Sequence, residues 1–155
     1  MVPILPGRLD WPSGIGNLFL NFGMLEYLVF VFLKDHLTSE KYETVKEQHL
    51  KDRLAKITRY LMDQSYPAEM QASFEELRQR IDPIREIRNH IAHGHLYVRM
   101  NAETQLQVTV FRAKDLDTGL ESTSRHIEFS ELVSALSALT KIIEEFKRIA
   151  GFKDS

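Results

Sequence analysis

The sequence predicts a mainly α protein, an up-and-down helical bundle of four to five helices with a small antiparallel β-meander inserted before the last helix. Three observations carry this. Apolar residues recur at helical spacing over long stretches before residue 94 and again after residue 130. Between them, from about 95 to 129, the period drops to two, as in half-buried strands. The turn-forming segments NAET and DTGLEST separate the alternating runs. At 155 residues the chain is expected to be a single domain, 1–155, able to bury a core of its own.

The first helix is expected after Ser13, whose hydroxyl can cap an unpaired first-turn amide. It carries LFLNFGMLEYLVFVFL, Leu18 to Leu33, with Asn21 and Glu26 as the strongly polar members. Sixteen residues around a carboxylate fall short of the roughly 20 apolar residues that a membrane span needs. A buried helix is expected instead, covered on several sides and in part by a second subunit. A second helix is predicted from Tyr42 to Gln64, with Leu50, Leu54, Ile57 and Leu61 on one face and mixed charge on the others. Pro67 suits the first turn of a third helix running to His93, where Gly94 stops it. Pro83 inside that helix is expected to kink or split it. In the strand region Leu106, Val108 and Val110 face one way and Gln105, Gln107 and Thr109 the other. A last helix from about Ser130 aligns Leu132, Leu136, Leu139, Ile143 and Phe146 and ends at Gly151.

Composition removes several function classes. With no cysteine there is no disulfide framework, thiolate catalysis or sulfur-ligated metal. MVPILPGRLDWP lacks a basic region followed by an apolar core, so no secretion signal is expected and the location is expected to be cytoplasmic. A net charge of -2 argues against coating nucleic acid by bulk charge. Phosphate contact must then be local, and the basic stretch is Arg78, Arg80, Arg85, Arg88 and Arg99 against Asp82 and Glu86.

The segment REIRNHIAHGH, residues 85–95, concentrates the candidate chemistry. At about 100° per residue, Arg88 falls within about 20° of Leu77, amid the apolar stripe of the third helix. A guanidinium there needs a carboxylate or a wet cavity. Glu26, the acid in the apolar first helix, is its expected partner, in a cleft or at a subunit interface. Alternatively, Pro83 shifts the helix phase and Arg88 snorkels to solvent. Asn89 and His93, four apart, share a face. Arg88 and His93 diverge by about 140°, so bringing both to one phosphate needs a loosened helix near Gly94 or a second copy of the chain.

Arg88-Asn89-His90-Ile91-Ala92-His93, at the end of a helix and read with the Glu26-bearing apolar helix, resembles the RNxxAHG form of the bacterial HEPN superfamily. The resemblance spans about 13–93 and 130–150 and leaves out the strands. It implies a homodimeric helical domain whose two motifs meet at the subunit interface, and a metal-independent endoribonuclease of toxin or phage-defence type with a composite Arg-x4-His site. It also implies an RNA substrate and a partner of the antitoxin or nucleotidyltransferase kind, with no cofactor and no metal. On that analogy His93 does acid/base work, Arg88 stabilises phosphate, Asn89 positions and Glu26 supports; Arg85, His90, His95 and Arg99 are candidate RNA contacts. The residue types suit this: histidine titrates near neutrality and arginine offers a permanently charged fork.

Two alternatives stand beside this reading. His90, His93 and His95 could hold zinc, although no HExxH pattern assists. Members of the family can also be catalytically silent, which makes a homodimeric module binding nucleotide, RNA or a partner protein the second functional expectation.

Overall fold

The computed structural model describes residues 10–93, 95–100, 106–112 and 123–152, the strands by backbone alone apart from His126 and Ile127. Among these residues the chain is mainly α: α1 (Trp11–His36), α2 (Ser39–Val45), α3 (Leu50–Asp63), α4 (Ala68–His93) and α5 (Phe129–Ala150). Three segments pair antiparallel in the order β1 (His95–Met100), β2 (Leu106–Arg112), β3 (Thr123–Ile127), with Val98 opposite Val108 and Val108 opposite Ile127. The expected alternation of Leu106, Val108 and Val110 falls on side chains outside the described residues, as does the Gly94 helix stop.

The cap of α1 is Asp10, not Ser13. The Asp10 carboxylate accepts the Ser13 amide at 2.9 Å, and the Ser13 hydroxyl oxygen accepts the Asp10 amide at 3.1 Å. This is the reciprocal arrangement of a capping box, which places serine three positions inside the helix. Hydrogen bonds from Ser13, its side chain first, hold the Asp10 carboxyl below its ordinary value.

By length and composition α1 reaches the measure of a membrane span, with mean hydropathy 1.6 over its most apolar window, of which 33% is buried within the protein. Buried core helices meet the same measure. The expectation that it is covered on several sides holds only in part, because Leu20, Met24 and Tyr27 are 63%, 42% and 61% exposed.

The helix expected over Tyr42–Gln64 is two helices. Val45 and Leu50 are both buried, yet five residues apart they would point about 140° from each other in one helix. Breaking the helix at Lys46–His49 lets both face inward. The Thr38 hydroxyl caps α2 through the Lys41 amide, and α3 buries Leu50, Leu54, Ile57 and Leu61 along the predicted face. At its end Ser65 sits at φ 53°, the left-handed conformation of a Schellman turn: Tyr66 N–H donates to the Leu61 carbonyl and Ser65 N–H to that of Met62, both at 3.1 Å. The Pro67 carbonyl then accepts the first α4 bond, from Gln71. Pro83 does not split α4, which stays assigned through His93.

The chain divides into two compact units, residues 1–20 with 85–137 and residues 21–84 with 138–155. In the first, Trp11 meets Phe129 edge-on at 5.2 Å, and a Cβ at Gly14 would sit 2.8 Å from Leu132 Cδ2, so a side chain there would have to push that methyl aside. Leu18, Ile87, Ile91, Ile127, Leu132 and Leu136 are buried there. In the second, Phe32, Phe74 and Phe146 form the aromatic centre of a core shared by α1, α3, α4 and α5. Arg80 of α4 binds Glu145 of α5 at 2.7 Å. Arg78 forks onto Glu75 one turn back, and this bond holds the Glu75 carboxyl below its ordinary value. The second unit closes on a Schellman cap, with Gly151 at φ 73° and Phe152 N–H donating to the Lys147 carbonyl at 2.9 Å.

Candidate functional site

The final turns of α4 hold the candidate residues and belong to the unit of residues 1–20 and 85–137. Ile87 and Ile91, buried at four-residue spacing, fix this end of the helix. They also correct the expected place of Arg88. On the ideal wheel Phe74, Leu77 and Ile81 centre near +33° from Leu77, but Ile84, Ile87 and Ile91 centre near -47°. The buried stripe has moved away from Arg88, which therefore lies on its flank and is half-buried.

On that flank Arg88 is held rather than swept by solvent. Its Nη1 donates to Asn89 Oδ1 at 3.1 Å, its guanidinium carbon lies 5.4 Å from the Phe19 ring centre, and its Nε is buried. A planar cation over a π face gains from the ring quadrupole, and the Asn89 oxygen fixes its rotation. A planar guanidinium fork of this kind matches the geometry of phosphate oxygens.

Arg88 and Asn89 are thus brought together, while His93 is exposed at the last position of α4. Because α4 remains helical through His93, the divergence of about 140° from Arg88 persists within one chain. His90 is half-buried, and its Nδ1 lies 2.7 Å from the Glu86 carbonyl. A carbonyl can only accept, so Nδ1 carries the hydrogen and Nε2 the free lone pair of the neutral ring. Arg85 is half-buried one turn before Arg88. His95 and Arg99 stand on β1 opposite Phe111 and Gln107, their side chains outside the described residues. Among the described residues no three His, Cys, Asp or Glu side chains gather as a metal site would require.

Glu26 belongs to the other unit, where its carboxylate lies 3.9 Å from Arg53 of α3. The side chains are 33% and 13% exposed, so the pair is largely withdrawn from water. Arg53 was missed from the sequence, although the signal was present. It sits about 60° from Leu50 on the wheel, at the edge of the face formed by Leu54, Ile57 and Leu61, just as Arg88 borders its own stripe.

Comparisons with family models, with characterised proteins and with solved structures gave no match for this chain.

Proposed function

We propose that the chain is a metal-independent, cytoplasmic endoribonuclease of the HEPN kind, of toxin or phage-defence type, acting as a homodimer in which two copies of Arg88, Asn89 and His93 form one site. The observation that supports it most is the fixed Arg88 guanidinium, set by Asn89 and Phe19 on the same helix end as the exposed His93. One His93 takes the proton from the RNA 2′-hydroxyl, whose oxygen attacks phosphorus. The bond to the 5′-oxygen breaks, and the other His93 protonates that leaving oxygen. Arg88 stabilises the charge that grows on the phosphorane oxygens, and Asn89 keeps the fork in plane. The strands at 95–129 form an inserted meander in this reading, and a nucleotidyltransferase or antitoxin partner holds the activity in check.

The second copy is required because Arg88 and His93 diverge within one helix. Leu20, Met24 and Tyr27, spaced i, i+4, i+7 on α1 and all exposed, are an apolar face suited to it. Sedimentation of Met24→Asp with Tyr27→Asp should show monomer where the wild type is dimer. Activity is tested by incubating RNA with the protein in EDTA: products should carry 2′,3′-cyclic phosphate ends and vanish in Arg88→Ala and in His93→Ala. Cleavage unchanged in both variants would belong to a contaminant and end the proposal. The exposure of His93 also suits a silent module, for which RNA would be retained by the wild type, weakened by Arg88→Ala and never cut.

A further inference from the structure

A second candidate site lies in the unit of residues 21–84 and 138–155, remote in sequence from the α4 motif. Here the ends of α1, α2 and α3 enclose a cleft of about 380 Å³. Lys41 of α2 and Lys56 and Arg59 of α3 line it, together with His36, Thr38, Thr44 and Tyr60. Asp63 is the one carboxylate in the lining, against three basic side chains. Lys56, Arg59 and Asp63, at i, i+3 and i+7, share one face of α3.

Five cations of this unit are answered by acids. Lys46 pairs with Glu43, Arg53 with Glu26, Arg78 with Glu75, Arg80 with Glu145 and Lys147 with Glu144. Among the described residues no ion pair holds Lys41, Lys56 or Arg59. Like charges gathered in a concavity repel one another more than the same charges spread over a convex face, because the low-dielectric walls focus their field. A polyanion entering the cleft relieves that repulsion.

The lining offers more than charge. His36 is stacked on Phe32, ring centres 4.1 Å apart, and its Nδ1 bonds the Phe32 carbonyl at 2.8 Å, which leaves Nε2 as the ring's second polar atom. The Thr44 hydroxyl donates to the Lys41 carbonyl at 2.7 Å, so its oxygen stays open to accept. Tyr60 meets the His36 ring edge-on at 5.5 Å, giving the cleft an aromatic wall. A volume of about 380 Å³ is that of a small-molecule site, and arginine with lysine is the pairing that recognises phosphate oxygens.

We infer that this cleft binds the phosphate groups of a nucleotide-sized small molecule, with Arg59 and Lys56 as the principal contacts and Lys41 closing over them. This goes beyond the proposed ribonuclease and does not depend on it. The test is calorimetric titration of the full chain with pyrophosphate and with ADP, at ionic strength matched by chloride. Saturable binding at one site per chain is expected, with Kd below about 1 mM. Arg59→Gln and Lys56→Gln, both on exposed positions, should each weaken it at least about tenfold with an unchanged circular dichroism spectrum. Arg88→Ala should bind as the wild type does, which separates this cleft from the α4 motif. Any of three results would overturn the inference: no heat beyond the chloride control, wild-type affinity kept by both cleft variants, or loss of binding in Arg88→Ala alone. Binding of a short single-stranded RNA through Arg59 and Lys56, with neither pyrophosphate nor ADP bound, would also overturn it.

Discussion

Replacing Arg88 by methionine separates the chemistry of that residue from its packing. The substitution removes the bond to Asn89, which contributes about 1 kcal/mol, and the attraction to Phe19, about 0.5–1 kcal/mol. Against this, the buried Nε no longer has to be desolvated, and a thioether regains about 0.3–1.5 kcal/mol from the same ring. The net change is within about 1 kcal/mol, which in a chain of this size moves the melting midpoint by no more than about 2–4 °C. Cleavage in EDTA should nevertheless fall at least about 100-fold, the usual cost of one charge-stabilising donor. Differential scanning calorimetry and a fluorogenic RNA assay on the same preparation give both values. A midpoint lowered by more than about 8 °C would make Arg88 a structural staple, and activity retained within about tenfold would remove it from the chemistry.

Glu26→Gln should cost about 1–2 kcal/mol, because the largely buried Arg53 loses its charge partner, and Arg53→Met should recover part of that in the double variant; additivity with Arg53→Met but coupling with Arg88→Met in a double-mutant cycle would assign Glu26 to Arg88 instead. Ser65→Gly should raise stability by about 0.5–1 kcal/mol in urea unfolding, since glycine adopts the left-handed turn without the penalty of a Cβ, and a loss would mean that the serine side chain matters more than its backbone. Glu75 has a depressed folded value, so its contribution is complete above the ordinary carboxylate value near 4.3 and is lost as pH falls through the lower folded one. Glu75→Gln should therefore flatten stability against pH below about 5 and leave the slope near neutrality alone. Gly14→Val should drive its branched side chain into Leu132 and lower the melting midpoint by several degrees, whereas an unchanged midpoint would show that α1 and Leu132 yield freely.

Single-helix periodicity was the most legible feature of the chain. Leu50, Leu54, Ile57 and Leu61, and the stripe from Leu132 to Phe146, are buried as their spacing predicts because each follows one helix from end to end. The break between Val45 and Leu50 was hidden because KEQH carries no glycine or proline, and only the demand that both flanking residues be buried forces it. Capping by Asp10 was missed because aspartate and serine both cap well, and the choice between them turns on a three-residue offset. At the candidate site the adjacency of Arg88 and Asn89 was legible, but the exposure of Arg88 was not. A fixed 100° wheel does not follow a buried stripe that moves between Ile81 and Ile87. The cationic cleft stayed invisible because Lys41 comes from a different helix than Lys56 and Arg59, and no linear motif joins them.

The bond from His90 to the Glu86 carbonyl has a consequence for motion as well as for proton placement. Turning the imidazole about its side-chain bonds would break that 2.7 Å contact, so the ring is anchored to its own helix turn rather than free to sweep. Whatever Nε2 meets must come to it along a direction that the α4 backbone has already set.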